Sequence, residues 1–315
     1  MKAVPELISH VREEMGKVVV GQAELQKQCV TALLCRGHAL LEGVPGIAKT
    51  LTVKTLSRLM RLEFQRVQCT ADLMPADIVG TNVLNLGTST FQLHRGPVFT
   101  DLLLVDEVNR MPPRTQAALL ECMEEYQVTI DRTGHPLSRF FTVFATQNPI
   151  EFEGTYPLPE AQLDRFLLKL HVPYPALQDE VRLLANVQNG FESRELEEMN
   201  LTPIEAGLLE QAQQELKSVT VEEALFSYIA QIVRRTREWP PLSLGASPRA
   251  AVALLSVAKA AAAMDGRDYV IPDDVKASAR PVLRHRIILK PEADLEGITP
   301  DQVLEDVLRA VEVPK

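Results

Sequence analysis

Short apolar runs alternate with longer amphipathic stretches up to about residue 175. The apolar runs predict strands at residues 38–42, 64–68, 102–106, 141–145 and 166–172. Amphipathic stretches between them, such as 49–60 and 115–125, predict helices. Strands that alternate with helices indicate βαβ crossovers, so this part of the chain predicts an α/β fold with a mainly parallel sheet.

The pattern changes after Pro173 and Pro175, and no comparable strand is predicted beyond about residue 178. Helices are predicted at residues 179–188, 202–217, 221–236, 248–264, 272–280 and 300–311. Several of these begin with proline, which the first helical turn accepts. A chain of 315 residues also exceeds one ordinary hydrophobic core. We expect two domains, an α/β domain at 1–177 and an all-helical domain at 178–315.

Composition narrows the class of protein. No run approaches the roughly 18 apolar residues of a membrane span, and the N-terminus lacks a secretory signal, which predicts a cytoplasmic protein. The net charge of −9 argues against a nucleic-acid partner, since phosphate backbones require clustered cations. The four cysteines form no C-x-x-C pair and the six histidines no H-E-x-x-H motif, so neither a disulfide framework nor a zinc site is expected.

A glycine-containing segment follows the first predicted strand and nearly matches the pattern G-x-x-x-x-G-K-[ST]. This pattern is typical of a loop whose backbone N–H groups bind phosphates. Its candidate phosphate-contacting residues are Gly43, Val44, Pro45, Gly46, Ile47, Ala48, Lys49, Thr50 and Leu51. Ala48 is the departure, because glycine usually precedes the lysine. We expect alanine to fit if this position already has a negative, helical φ, since only a positive φ requires glycine.

Further candidates follow other predicted strands. Asp106 and Glu107 end a buried run, where ligands bind in open α/β sheets. One acid can hold Mg²⁺ and the other can activate water. Asn148 follows the run at 141–145 and can position water, although an Asn turn before Pro149 is an alternative interpretation. Arg165 and Arg249 are each equally consistent with surface positions.

Together these segments resemble the MoxR family of AAA+ ATPases. The resemblance rests on residues 42–50, 105–121, 145–149, 153–166 and 245–250. It is dense from about residue 18 to residue 175 and looser beyond. It implies a five-stranded sheet of order 5-1-4-3-2, a small helical lid domain and assembly into a ring, commonly a hexamer. In this family Ala48 is an ordinary residue of the loop.

The resemblance also assigns roles to individual residues. Val20, Gly21 and Gln22 match the segment that contacts the base. Lys49 and Thr50 match the residues that bind phosphate and Mg²⁺, and Asp106 and Glu107 match the metal-binding and water-activating pair. Asn148 matches sensor 1, Arg165 the arginine finger that acts on a neighbouring subunit, and Arg249 sensor 2 of the lid.

Two segments resemble insertions of the same family. Residues 77–99 are predicted to be β-rich and resemble an insert in the second helix. Residues 128–140 predict the hairpin that precedes sensor 1, with its turn at residues 132–135. The family relationship implies pore or client contact for such inserts, whereas plain surface hairpins are the alternative.

The function implied is Mg²⁺-dependent ATP hydrolysis by a homo-oligomeric ring that remodels or matures a client protein, with a von Willebrand A-type protein as a partner. One alternative is a motor that acts on nucleic acid or, like magnesium chelatase, on a metal-insertion complex. Another is a nucleotide switch or scaffold that does not hydrolyse ATP. The chain itself indicates no client.

Overall fold

The computed structural model describes residues 1–150, 154–190, 196 and 199–314. Glu153, which begins one of the family-like stretches, lies outside the described residues. The strands are β1 (Ala39–Glu42), β2 (Phe64–Gln68), β3 (Gly80–Asn85), β4 (Thr90–Arg95), β5 (Leu102–Asp106), β6 (Gln127–Ile130), β7 (Thr133–Pro136), β8 (Thr142–Gln147), β9 (Leu168–His171), β10 (Leu242–Leu244) and β11 (Ile288–Leu289).

The helices are α1 (Ala3–Met15), α2 (Ala23–Leu34), α3 (Lys49–Leu59), α4 (Pro75–Val79), α5 (Pro113–Glu125), α6 (Glu160–Leu163), α7 (Leu177–Gln188), α8 (Leu208–Ser218), α9 (Glu223–Arg237), α10 (Pro248–Met264), α11 (Pro272–Leu283), α12 (Pro291–Leu295) and α13 (Pro300–Ala310). A 3₁₀ turn, Val108–Arg110, follows β5. Within the described residues, no helix is long and apolar enough to span a membrane.

Five strands form one parallel sheet in the order β2-β5-β8-β1-β9. Counted along the chain and read from the other edge, this is the predicted order 5-1-4-3-2, which is confirmed. Every residue of β5, an inner strand of the sheet, is buried, as expected for a strand covered on both faces. The carboxyl ends of β1, β5 and β8 are adjacent, so the segments that follow them meet at one edge.

Side chains alternate between two hydrophobic clusters on the two faces of the sheet. Leu102 and Leu104 belong to one cluster, whereas Leu103 and Val105 belong to the other. The first cluster continues from the sheet through α1 and α2 into helices α8 to α11 and α13. The sheet and the helical half therefore share a buried core across residue 177, and the division into domains at that point stays a prediction.

The helical half confirms the predicted lid but differs in detail. Helix α8 begins at Leu208 rather than at residue 202. Gly207 has a φ of +87°, and the chain before it binds elsewhere: Thr202 N–H donates to Glu14 Oε2 and Ile204 N–H donates to the Leu59 carbonyl. A small antiparallel pair, β10 with β11, was not predicted.

Both predicted insertions form hairpins. β3 pairs with β4 through a ladder from Gly80–Arg95 to Asn85–Thr90, and α4 leads into them. β6 pairs with β7, but the turn predicted at residues 132–135 is wrong. The chain reverses at Asp131 and Arg132, which have φ values of +48° and +66°, and Thr133, Gly134 and His135 already lie in β7.

Candidate nucleotide-binding site

The glycine-containing loop joins β1 to α3. Two positions in it require glycine, each for a different structural reason. A Cβ on Gly43 would lie 2.7 Å from both Ile47 Cδ1 and the Val172 carbonyl oxygen, so no side chain fits there. Gly46 has a φ of +84°, and a Cβ there would meet nothing within 4 Å. The backbone at Gly46 therefore faces open space, as a loop that holds phosphates requires.

Ala48 departs from the expectation. The expected negative φ is wrong, because Ala48 has φ +62° and ψ +21°, in the left-handed region. It stands directly before the first residue of α3, where the loop must turn into the helix. An L-residue pays a steric cost of about 1 kcal/mol or more in this conformation. Alanine therefore occupies a position that favours glycine.

Lys49 and Thr50 begin α3, and their side chains lie at the loop and at the end of β5. Lys49 Nζ donates to the carbonyls of Gly43 and Val44, so the ammonium group lies within the curve of the loop. Burial lowers the pKa of Lys49, whereas the nearby charges of Asp106 and Glu107 raise it. Thr50 Oγ1 donates to Asp106 Oδ2 at 3.4 Å.

The two acids at the end of β5 have different surroundings. Asp106 is 7% exposed, and its Oδ1 accepts a hydrogen bond of 3.0 Å from Thr146 Oγ1. Glu107 follows with a φ of +58°, which turns it out of the strand. Its N–H donates to Thr146 Oγ1 at 2.9 Å, so one threonine on β8 holds both acids. The oxygen donors of Thr50 and Asp106 suit Mg²⁺ as ligands.

Two side chains on β2 also reach the acids. Arg66 Nε donates to Asp106 Oδ2 at 2.6 Å, and Gln68 Nε2 donates to Glu107 Oε2 at 3.2 Å. Arg66 and Gln68 are also joined by a hydrogen bond of 3.0 Å. Neither residue was predicted from the sequence, although their spacing of two residues on the strand beside β5 places them on one face.

Asn148 follows β8, and the structure bears on both interpretations of it. The residue is buried and lies beside the acids in the same cleft. Its Oδ1 accepts a hydrogen bond of 3.2 Å from Ile150 N–H, which forms an Asx turn. Since the oxygen is used locally, the NH₂ group is the end of the amide that can donate to a ligand.

These segments enclose a cleft of about 700 Å³. It brings together the sequence-predicted residues Pro45, Gly46, Ala48, Lys49, Thr50, Leu51, Asp106, Glu107 and Asn148. The cleft is also lined by residues that the sequence analysis did not single out, namely Arg66, Gln68, Thr146, Leu183 and Val187. Gly43, Val44 and Ile47 belong to the loop but do not line the cleft.

Val20, Gly21 and Gln22 lie elsewhere on this edge. Gly21 has a φ of +71° and Gln22 a φ of +57°, and Gln22 Nε2 donates to the Pro173 carbonyl at 2.9 Å. Gln22 lines a second, separate cleft with residues that follow β9. The structure therefore does not bring these three residues into the cleft of the phosphate loop.

Arg165 and Arg249 both contact Glu124 rather than the phosphate loop. Arg165 Nη2 lies 2.9 Å from Glu124 Oε2, and Arg249 Nη1 lies 3.3 Å from Glu124 Oε1. Neither arginine lines the cleft of the phosphate loop. Glu124 is a further residue that the sequence analysis missed, because a single acid in a helix gives no signal of its own.

Comparison with known proteins agrees with this arrangement. A model of the ATPase family associated with various cellular activities (AAA) matches residues 38–168, and a model of the AAA lid domain matches residues 234–307. The first match runs from β1 to the first residue of β9, and the second contains α10, α11 and α12. Fold and cleft thus define a nucleotide-binding protein of the AAA class with a helical lid.

Individual relatives narrow this class. The chain is 41% identical over 317 residues to Chaperone MoxR1 of Mycobacterium tuberculosis, covering 96% of this chain and 81% of the relative. It is 42% identical over 308 residues to an uncharacterised protein, YeaC, of Bacillus subtilis, covering 98% and 95%. A crystal structure of a putative ATPase from Cytophaga hutchinsonii superposes with a TM-score of 0.90 at 44% identity, covering 99% and 96%. The chain belongs to the MoxR family of AAA+ ATPases.

Proposed function

We propose that this protein hydrolyses ATP with Mg²⁺ and uses the reaction to remodel or mature a partner protein. One observation carries the proposal: the cleft beside the phosphate loop also contains Asp106, Glu107 and Asn148. Together with the phosphate loop after β1, they lie at the carboxyl ends of three strands, β1, β5 and β8. A loop that binds phosphate, acids that suit a metal and water, and an amide donor are together the parts that phosphoryl transfer to water requires.

The residues present fit both a nucleotide and a metal ion. Gly46 leaves open space at the loop, and the ammonium of Lys49 is a suitable partner for phosphate oxygens. Thr50 and Asp106 would hold Mg²⁺ through oxygen atoms. When bound, Mg²⁺ would neutralise charge on the phosphates.

In the proposed mechanism Glu107 and Asn148 act on water. Glu107 is held by its backbone bond to Thr146 and has a side chain that is 31% exposed, so its carboxylate can take a proton from water that enters the cleft. Asn148 donates through its NH₂ group to that water or to the terminal phosphate. Lys49 balances the negative charge that develops, and positioning with electrostatic stabilisation supplies most of the rate acceleration.

We further propose that the active form is a ring of six subunits, in keeping with the family resemblance. Arg165 and Arg249 lie outside the cleft of their own subunit. We therefore propose that they contact the nucleotide bound by a neighbouring subunit. An arginine supplied in this way stabilises charge on the transferred phosphoryl group. Arg249 on the lid would report that contact to the helical half.

The client stays open. The relative called Chaperone MoxR1 supports a chaperone-like role on a protein, and we propose a von Willebrand A-type partner from the family resemblance alone. The hairpins β3–β4 and β6–β7 are proposed to contact pore or client. A cytoplasmic location and the division into domains at residues 177 and 178 also stay predictions.

The variant Glu107→Gln tests the proposed reaction. It keeps the shape and a hydrogen-bond acceptor but removes the base, so ATP binding should persist while turnover falls by at least about a hundredfold. Glu125→Gln, which removes an exposed acid outside the cleft, is the matched control and should turn over ATP as the parent does. Undiminished hydrolysis by Glu107→Gln would remove Glu107 from the role of base. Absent hydrolysis by the parent would favour a nucleotide switch.

A further inference from the structure

Glu124 binds two arginines that come from distant parts of the chain. Arg165 follows α6, and Arg249 is the second residue of α10 on the lid. Each guanidinium contacts a different carboxylate oxygen, at 2.9 Å and 3.3 Å. A single carboxylate thus gathers the two cations that the proposed function assigns to a neighbour's nucleotide.

The positions of these charges run against the helix dipoles. Glu124 lies in the last turn of α5, where the partial negative charge of the helix end disfavours an acid. Arg249 lies in the first turn of α10, where the partial positive charge disfavours a base. Charged residues at helix ends that disfavour their sign are concentrated at functional sites.

A second ion pair beneath this cluster is of a different kind. Arg286 has a side chain that is 3% exposed, and its Nε donates to Asp164 Oδ1 at 2.6 Å. Arg286 also donates to the carbonyls of Asp164, Phe166 and Leu167, which flank Arg165. Ser247 Oγ, two residues before Arg249, donates to Asp164 Oδ2 at 3.1 Å. These hydrogen bonds, centred on the buried Arg286, fix the backbones from which both arginines extend.

In contrast, the ion pairs of Glu124 with Arg165 and Arg249 can be replaced by pairs with another anion. The side chains of Arg165, Glu124 and Arg249 are 29%, 36% and 49% exposed. Ion pairs with this exposure contribute little to stability and are screened by salt. A phosphate group carries more charge than a carboxylate and accepts bidentate bonds from arginine. It can therefore displace Glu124 without disturbing the hydrogen bonds centred on the buried Arg286.

We propose that Glu124 is a positioning residue that holds Arg165 and Arg249 together until the terminal phosphates of a nucleotide on a second copy of this chain replace it. The proposal rests on the proposed function, because it takes ATP bound by the neighbour as the competing anion. Glu124 holds the two guanidinium groups at one place through its two carboxylate oxygens. Glu124 also competes with the phosphate for the arginines. Without nucleotide, therefore, the arginines do not stabilise the contact between two subunits.

The first experiment measures assembly apart from hydrolysis. In a Glu107→Gln background with ATP and Mg²⁺, sedimentation velocity gives the subunit concentration at half-assembly. Glu124→Gln keeps an acceptor but removes the competing charge, so this concentration should fall by about threefold to tenfold. Glu125→Gln, the next residue on the same helix, is the matched control and should leave it unchanged. An unchanged or raised concentration for Glu124→Gln would overturn the proposal.

Combining Glu124→Gln with substitutions of both arginines tests whether Glu124 acts through them. With Arg165→Ala and Arg249→Ala already present, Glu124→Gln should no longer change the half-assembly concentration. A shift that persists in that background would also overturn the proposal. The proposed function fails by a different result: Arg165→Ala would then hydrolyse ATP at the parent rate, whatever Glu124 does.

Discussion

Arg66 Nε and Thr50 Oγ1 both donate to the same oxygen, Oδ2 of Asp106, at 2.6 Å and 3.4 Å. This is the carboxylate proposed to hold Mg²⁺ together with Thr50. Arg66 therefore offers a positive charge to an atom that the metal ion would also use. Because one oxygen cannot serve both cations fully, the guanidinium and Mg²⁺ are expected to compete.

Replacing Arg66 should reveal that competition. Arg66→Gln removes the positive charge and should lower the Mg²⁺ concentration required for half-maximal ATP binding, by about threefold or more. Titration of a fluorescent ATP analogue with Mg²⁺ measures this. Gln65→Ala, which changes the exposed neighbour on β2, should leave the titration unchanged. If Arg66→Gln instead weakens nucleotide binding equally with and without Mg²⁺, Arg66 is a phosphate ligand and not a competitor of the metal.

Around the phosphate loop, the sequence predicted the strands and the site residues but not the backbone conformation of the loop. Strands β2 and β5 were predicted with their observed bounds. For β5 the reason is that a fully buried strand of a parallel sheet is a continuous apolar run in the sequence. Asp106, Glu107 and Asn148 were expected beside the loop since parallel strands bring their carboxyl ends to one edge. The φ of Ala48 was not predictable in this way, because the closure of the loop onto α3 sets it.

Contacts between distant segments account for most of the remaining differences. The pairing of Arg165 and Arg249 with Glu124 joins three parts of the chain that no local pattern connects. β10 and β11 have three and two residues, too few for a hydrophobic period to be recognised. The start of α8 depends on Thr202 finding Glu14 of α1, a contact across most of the chain.

Ala48→Gly should stabilise the protein slightly. Glycine accepts the φ of +62° without the steric strain of alanine. Part of this gain is offset by the greater freedom of glycine in the unfolded chain. We expect a rise of about 0.5–1 kcal/mol in the free energy of unfolding and ATP turnover within a few-fold of the parent. Urea unfolding and a turnover assay measure the two quantities.

The same substitution is informative if it fails. A loss of turnover of two or more orders of magnitude would show that the conformation of the loop around Ala48 is not as described. Ala48→Val provides the opposite change, because a β-branched residue is a strong outlier at a positive φ. It should destabilise the protein more than Ala48→Gly stabilises it.

Glu42 ties the start of the phosphate loop to the edge strand, which predicts an acid-sensitive contribution to stability. Its Oε1 lies 2.7 Å from Lys169 Nζ and its Oε2 lies 2.9 Å from His171 Nδ1. Burial raises the pKa of Glu42, but the hydrogen bond from His171 and the charge of Lys169 outweigh it and lower the pKa to about 2. The stabilisation is thus present above about pH 4.5 and is lost as the pH falls towards 2.

Glu42→Gln should therefore lower the free energy of unfolding by about 2 kcal/mol at pH 7. The difference from the parent should shrink between pH 4.5 and pH 2, because the parent carboxylate is then protonated as well. Urea unfolding at pH 7 and at pH 3 measures it, with the exposed-acid variant Glu125→Gln as a control. A difference that is equal at both pH values would show that the ion pairs of Glu42 contribute nothing to stability.

Mixing two inactive variants tests whether Arg165 acts across a subunit boundary. Lys49→Ala removes the phosphate-binding cation of a subunit but leaves its Arg165 intact, whereas Arg165→Ala does the reverse. If Arg165 acts on its neighbour, mixed rings contain boundaries at which an intact Lys49 faces an intact Arg165. These boundaries should restore up to about a quarter of parent turnover in an equal, random mixture, since each of the two required residues is present in half of the subunits. Turnover is measured against the mixing ratio, and native mass spectrometry establishes that the rings are mixed. No recovery at any ratio in such rings would place Arg165 outside the neighbour's reaction.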